Sequence, residues 1–350
     1  MKVIAYYLPQ YHETKENNEW WGKGFTEWTN VKNMKPLFKK HEQPKIPLNH
    51  NYYNLLEKQT IENQAELAKK YNIYGFAIYH YWFEGDRLLD KPLENILKFK
   101  DIDMNYCLFW ANHSWIRSWE GKSTILKKQT YGEEEEWEKH FNYLNQFFQD
   151  KRYIKVENKP MFLIYKANEI NRFNDRIEYL EKRCKEVGFD GIHIVESAQH
   201  YQKFEPQKKT NAILYSEPAY TMSQNAIYLK ILHKILRKIN LTPMRYDGLK
   251  ILKKLVIKNR KYNIKNAYLG LFNGWDNTPR HKNRGYIITK VDTNNFRKIL
   301  SEQKKWLKEN NEEFIFYNAW NEWAEGMYLE PDSKDKYEYL KVLKEVIEND

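Results

Sequence analysis

A single-domain (β/α)8 barrel is the fold class that the sequence predicts, and three observations predict it. Eight short apolar runs, at 3–8, 75–81, 106–111, 161–165, 192–196, 213–217, 268–272 and 314–319, alternate with amphipathic stretches of helical period. The chain has 350 residues, and such a barrel needs about 250. No Gly-x-Gly-x-x-Gly turn follows the first run, which argues against an open doubly wound sheet.

In chain order, Met1-Lys2-Val3-Ile4-Ala5-Tyr6-Tyr7-Leu8-Pro9 reads directly as a strand and turn, without a charged-then-apolar leader. The clearest helical patterns lie at 57–71, 133–148, 170–187, 293–310 and 335–347. Gly188 and Gly191 mark a helix stop and a short loop into the fifth strand. There is no solenoid repeat and no low-complexity linker, so residues 1–350 are expected to form one domain.

The composition is that of a water-soluble chain, 30% charged and 41% hydrophobic, with no run apolar enough to cross a bilayer. Aromatics reach 16%, which suits a carbohydrate cleft as well as an aromatic-rich core. Two cysteines, Cys107 in a predicted strand and Cys184 in a predicted helix, argue against a disulfide framework and for a cytoplasmic protein. The net charge of +11 resides in one segment, 226–265, where twelve Lys and Arg face a single acid, Asp247.

Loops after the C-terminal strand ends build the active site of a (β/α)8 barrel. Here they carry groups that bind polyols: Gln10, Tyr11 and His12, with Glu27 and Trp28 further along, after the first strand; Tyr79, His80, Tyr81 and Trp82 at the second; Trp110, Asn112 and Trp115 after the third. Tyr165 ends the fourth, Glu217 the sixth, and Trp275, Asp276, Asn277 and Arg280 follow the seventh and are expected to line sugar subsites. For any one of these residues, packing or capping is the commoner role. Their recurrence around the ring favours a binding face. The eighth run leads into Trp320-Asn321-Glu322-Trp323-Ala324-Glu325-Gly326. If the chain coils at once, Glu322 and Glu325 share one helical face between Trp320 and Trp323. Two carboxyls in an aromatic-walled cleft are pushed to different proton affinities, one a base and one an acid, which is what glycosidic bond chemistry requires. The competing reading is a solvated pair at a helix start.

Four blocks carry a family resemblance: Tyr6-Tyr7-Leu8-Pro9-Gln10-Tyr11-His12, Trp20-Trp21-Gly22-Lys23-Gly24-Phe25-Thr26-Glu27-Trp28-Thr29-Asn30-Val31, Gly274-Trp275-Asp276-Asn277-Thr278-Pro279-Arg280 and the Glu322/Glu325 motif. Together they resemble the WbsX family, labelled a glycosyltransferase of bacterial surface-polysaccharide loci, and are similar to the family-99 endo-α-mannosidases. The resemblance implies that Glu322 takes the proton of the sugar 2-hydroxyl, so that this oxygen attacks the anomeric carbon. It implies that Glu325 protonates the leaving oxygen and then activates water or an acceptor hydroxyl, with net retention. Ala324 stands where the mannosidases carry histidine, which leaves the sugar, and hydrolysis against transfer, open.

Other readings are weighed against this one. A metal-dependent nucleotide-sugar transferase would use an Asp-x-Asp such as Asp101-Ile102-Asp103, which precedes a strand at the wrong end of the barrel. A barrel that binds glycans without cleaving them is a second alternative. No zinc spacing or phosphate-cradling Gly-x-x-x-x-Gly-Lys occurs, so neither metal nor cofactor is expected. The partner expected is an oligosaccharide or lipid-linked glycan, with no nucleic-acid-binding motif in the basic segment. In 227–239, apolar and basic residues take opposite faces. A surface helix with its apolar face on the core is the expected arrangement. Peripheral contact with an anionic membrane is the competing one.

Overall fold

The computed structural model describes residues 1–119, 122–200, 204–225, 227–257 and 267–349. Eight parallel strands close a barrel: β1 Lys2–Tyr7, β2 Ile73–Phe83, β3 Asn105–Trp110, β4 Lys159–Ile164, β5 His193–Ala198, β6 Ala212–Tyr215, β7 Ala267–Leu271 and β8 Phe314–Tyr317. Each pairs with its sequence neighbour, and β1 closes the ring against both β2 and β8, with Ala5 opposite Tyr317. Every predicted strand is present, and the five predicted helices occur as Lys58–Lys70, Glu134–Phe148, Phe173–Glu186, Thr293–Glu309 and Glu338–Glu348.

The reason is legible in the patterning. The strands are buried on both faces and so read as continuous apolar runs, whereas each helix buries one stripe. In Phe173–Glu186 that stripe is Phe173, Ile177, Leu180 and Cys184, and the helix ends before Gly188 at φ +99°. Thr293–Glu309 is capped by Asp292, whose carboxylate accepts from Asn295 N at 3.0 Å, and buries Phe296, Ile299, Leu300, Gln303 and Leu307. Cys107 on β3 and Cys184 are both buried and free.

Additions to the barrel follow the C-terminal strand ends. After β1 come Lys15–Trp21 and Glu27–Asn33; after β3, an antiparallel pair, Trp115–Trp119 with Lys122–Lys127. After β6 come the helices Ile227–Ile239 and Gly248–Ile257 of the basic segment, whose residues 226 and 258–265 lie outside the described residues. Here the structure corrects an expectation. Most of the apolar face of Ile227–Ile239 is not on the core: Tyr228, Ile231, Leu232, Ile235 and Ile239 are exposed, while Leu229 and Leu236 pack on the core and Lys230 and His233 are half-buried. Asp101 and Asp103, at the opposite end of the barrel, pair with Lys58 and Lys69. The described residues contain no helix long and apolar enough to cross a membrane.

Candidate active site

The eighth strand delivers the two glutamates by a different local route from the predicted helix. Asn321–Glu322 pairs antiparallel with Met327–Tyr328, and Trp323–Glu325 forms one 3-10 turn at the tip. Gly326 closes it at φ +59°, a left-handed conformation, and a Cβ there would sit 2.9 Å from Cβ of Asp276. Both facts demand glycine. The hairpin is locked to β1 by Asn321, whose Oδ1 accepts from Leu8 N at 2.8 Å and whose Nδ2 donates to Leu8 O at 3.1 Å. The Tyr11 hydroxyl donates to Asn321 O at 2.6 Å and accepts from Trp323 N at 3.1 Å.

Arg280 joins the two acids. It sits on the short helix Thr278–His281, which is fixed from below by Asp276. The Asp276 carboxylate accepts from Thr278 N and Oγ1 and from Gln43 Nε2 and lies 2.9 Å from His41 Nε2. Burial raises its proton affinity, but these hydrogen bonds, that of His41 first, outweigh burial and hold the carboxyl below its ordinary value. Asn277 Oδ1 takes Tyr286 N at 2.8 Å. From this support the Arg280 guanidinium donates through Nη1 to Glu325 at 2.7 Å and through Nη2 to Glu322 at 3.0 Å. Its Nε reaches Glu27 at 3.2 Å, and Nη2 reaches Gln10 at 3.4 Å; Gln10 in turn donates to the Tyr81 hydroxyl at 3.0 Å. The Arg280 and Glu325 side chains remain 23% and 19% exposed, so the cluster opens to solvent.

Three acids share one cation, so the cluster is short of positive charge whenever all three are ionised. Burial raises Glu322 well above its ordinary value and raises Glu325 as well; Arg280 opposes both shifts and the neighbouring carboxylates add to them. Glu322 and Glu325 therefore titrate as a unit that holds a proton to higher pH than free glutamate does. Burial opposes the charge on Arg280, but the three acids outweigh it and keep the guanidinium protonated. Such a pair can accept a proton at one oxygen and donate one at another, with the guanidinium offsetting the charge that moves.

Of the other predicted residues, Tyr81 packs edge-on to Trp115 at 5.3 Å. Tyr79 stands over Phe109 and within the field of Glu322. Burial, followed by the charge of Glu325, pushes the Tyr165 phenol up to about 12. Trp275 stacks on Tyr286 at 5.5 Å. Tyr81 reaches the cluster through Gln10, the charge of Glu322 acts on Tyr79, and that of Glu325 acts on Tyr165 and on Tyr286, the ring beneath Trp275.

Several predicted residues do not join it. His80, Trp82 and Trp110 face out of the barrel: His80 Nε2 lies 2.9 Å from His140 Nε2, the Trp82 ring stacks on His140 at 4.7 Å, and Trp110 packs on His140 and Arg176. Successive strand residues point to opposite faces, so Tyr79 and Tyr81 face in and their neighbours face out. Trp320 and Trp323 are buried behind the hairpin rather than walling a cleft: Trp320 packs on Phe76, while Trp323 stacks on Tyr328 and donates its indole N–H to Glu330 at 2.6 Å. Trp28 is buried, giving its N–H to Tyr53 O. Asn112 ties two loops together through Lys166 N and O. Asp276 and Asn277 support the site from behind, as described. Burial pushes His12 down to about 4, which keeps its imidazole neutral. Asn321 and Tyr286 were not anticipated. A lone Asn before Glu322 and a three-residue strand carry no periodicity to flag them.

Glu217 is likewise spent on structure. Its oxygens accept from Thr221 N at 3.1 Å and Thr221 Oγ1 at 2.9 Å, and burial lifts it from 4.5 to about 8. The folded chain keeps this proton longer than the unfolded chain does, so the stability it contributes is present at low pH and lost as pH rises towards 8. The slope is at most about 1.4 kcal/mol per pH unit. Glu217→Gln is expected to flatten the fall in urea midpoint between about pH 5 and pH 8. A variant curve parallel to the parent's would show that no proton is held there.

The fold is thus a closed (β/α)8 barrel, with paired glutamates, Glu322 buried and Glu325 partly so, at the C-terminal ends of its strands. Solved structures agree on the fold. The chain superposes on the GH99 endo-alpha-mannosidase from Bacteroides thetaiotaomicron with TM-score 0.55 at 12% identity, covering 99% of this chain and 96% of that one. For a glycoside hydrolase-like protein the values are 0.59, 14%, 100% and 94%. More particularly, the chain belongs to the WbsX glycosyltransferase family, whose model matches residues 3–343. It is also 28% identical to the uncharacterized protein WxcX of Xanthomonas campestris pv. campestris strain B100, over 99% of this chain and 49% of that protein. The chain thus spans about half the length of the curated relatives it matches.

Proposed function

We propose that the chain acts at a glycosidic linkage through Glu322 and Glu325, with retention of configuration, in building or trimming a bacterial surface polysaccharide such as a lipopolysaccharide O-antigen or capsule. The observation that supports this most is the single guanidinium of Arg280 bridging both acids, 3.0 Å from Glu322 and 2.7 Å from Glu325. Glu322 accepts the proton of the sugar 2-hydroxyl, whose oxygen attacks the anomeric carbon as the glycosidic bond breaks. Glu325 gives its proton to the departing oxygen, leaving a three-membered ring through the 2-oxygen. It then takes a proton from water or an acceptor hydroxyl, whose oxygen bonds to the anomeric carbon and opens the ring as Glu322 returns its proton to the 2-oxygen. A sugar hydroxyl hydrogen-bonded to Glu322 favours its ionised form and moves the shared proton to Glu325. Membership of a glycosyltransferase family supports a glycan substrate, and the partial exposure of Arg280 and Glu325 leaves the pair accessible to an oligosaccharide or its lipid-linked form.

Incubation with surface-polysaccharide oligosaccharides, with and without nucleotide sugars, tests this when products are weighed by mass spectrometry and their anomers followed by NMR. A retained product that depends on both glutamates is expected. Binding without any product would make this a glycan-binding barrel. Product formed only from a nucleotide sugar, and indifferent to Glu325, would make it a transferase of another mechanism.

A further inference from the structure

The helix Ile227–Ile239 is packed the wrong way round for a water-facing element. Tyr228, Ile231, Leu232, Ile235 and Ile239 follow the i, i+3, i+4, i+7, i+11 spacing of one face, and that face is exposed: 66% at Tyr228, 50% at Ile231 and Ile235. Leu241, just beyond the helix, is 71% exposed. Lys234, Arg237 and Lys238 lie exposed along one flank, and the helix contains no acid. The surrounding segment carries the chain's whole excess of positive charge.

The helix stands at the barrel mouth. It abuts the turn Lys282–Arg284, which follows Arg280; Asn283 Nδ2 donates to Asn240 O at 3.2 Å, and His233 packs at 5.5 Å on Tyr286, the ring that stacks under Trp275. A second apolar feature emerges at the same end of the barrel. In the antiparallel pair after β3, Ile116 and Ile125 sit directly opposite each other, 51% and 58% exposed.

We infer that the outer face of Ile227–Ile239 docks on an anionic lipid bilayer, which holds the barrel mouth towards the membrane surface. An apolar ridge flanked by basic side chains lies in the interfacial plane of a bilayer, with the ridge among acyl chains and the charges among acidic headgroups. Charge argues for this occupant over a second copy of the chain, since a symmetric contact through this face would set two acid-free basic helices against each other. With the proposed glycan activity, the docking would present lipid-linked saccharide to Glu322 and Glu325. The docking itself does not rest on that activity and is read without catalysis.

Sedimentation of the full chain with vesicles tests it. Binding is expected to vesicles of phosphatidylcholine mixed with phosphatidylglycerol, to weaken as salt is raised, and to be far weaker to phosphatidylcholine alone. At roughly fivefold per basic side chain, joint replacement of Lys234, Arg237 and Lys238 by Gln is expected to weaken binding on the order of a hundredfold. Ile231→Ser with Ile235→Ser is expected to weaken it at least about tenfold while leaving the thermal melt unchanged, because both side chains are half exposed already. Equal binding to neutral vesicles, or binding indifferent to both sets of changes, overturns the inference. So does absence of vesicle binding, whether the protein instead self-associates on size exclusion, binds duplex DNA or does neither.

Discussion

Glu325→Gln is expected to lower turnover by about 10²- to 10⁴-fold, the usual worth of a positioned general acid. The amide keeps the shape of the side chain, and its oxygen can still accept from Arg280 Nη1, which lies 2.7 Å from Glu325. The loss therefore reports the missing proton rather than a collapsed site. Two refinements separate acid catalysis from mere binding. A glycoside whose leaving group departs as a stable phenolate needs no protonation, so Glu325→Gln should spare bond cleavage on it; Glu322→Gln should not, because the 2-hydroxyl must still lose its proton. The pH profile supplies the other. Burial raises Glu325, so the acid form persists above the ordinary carboxyl range and activity falls as pH rises through the raised value. That alkaline limb should vanish in Glu325→Gln. An equal loss for good and poor leaving groups, with the limb retained, would exclude Glu325 as the proton donor.

What could be read before the fold was known, and what could not, divides along physical lines. The barrel was legible because a strand buried on both faces must be apolar throughout, and β8 leads straight into Glu322 and Glu325. The sorting of aromatics was not, because His80 and Tyr81 differ only in which side of one strand they occupy, and the eye for sugar-binding residues takes both. Strict alternation along β2 would have separated them. Trp320 and Trp323 flank the acids in sequence, yet the 3-10 turn and hairpin send them into the core. The charge hub was the least legible feature. Arg280 meets Glu27 across 253 residues and His41 meets Asp276 across 235, and no local pattern announces pairings of that range. The helix Ile227–Ile239 had the reverse difficulty: its amphipathic spacing was plain, but spacing alone does not say which face meets the protein.

Arg280→Met should cost about 3–5 kcal/mol of stability at neutral pH, the usual consequence of removing one partner from a buried charge cluster. Methionine fills much of the same volume, so the effect isolates charge. Glu27, Glu322 and Glu325 then face one another with nothing to offset them. Glu322 and Glu325, already raised by burial, lose the neighbour that among the described residues lowers them. The sign of the pH dependence follows. An acid whose folded-state proton affinity lies above the unfolded value contributes stability at low pH that is lost as pH rises between the two values. Raising both acids further widens that window, so the deficit of Arg280→Met should be small near pH 5 and grow towards pH 8, as read from urea midpoints. Arg280→Lys supplies the contrast. A lysine restores the charge but not the fork that serves Glu322, Glu325 and Glu27 at once, so most stability should return while turnover stays low. If Arg280→Met instead destabilises equally at both ends of the pH range, the acids are solvated rather than confined together. The paired-glutamate chemistry would then lose its electrostatic basis, although the barrel that carries it would stand.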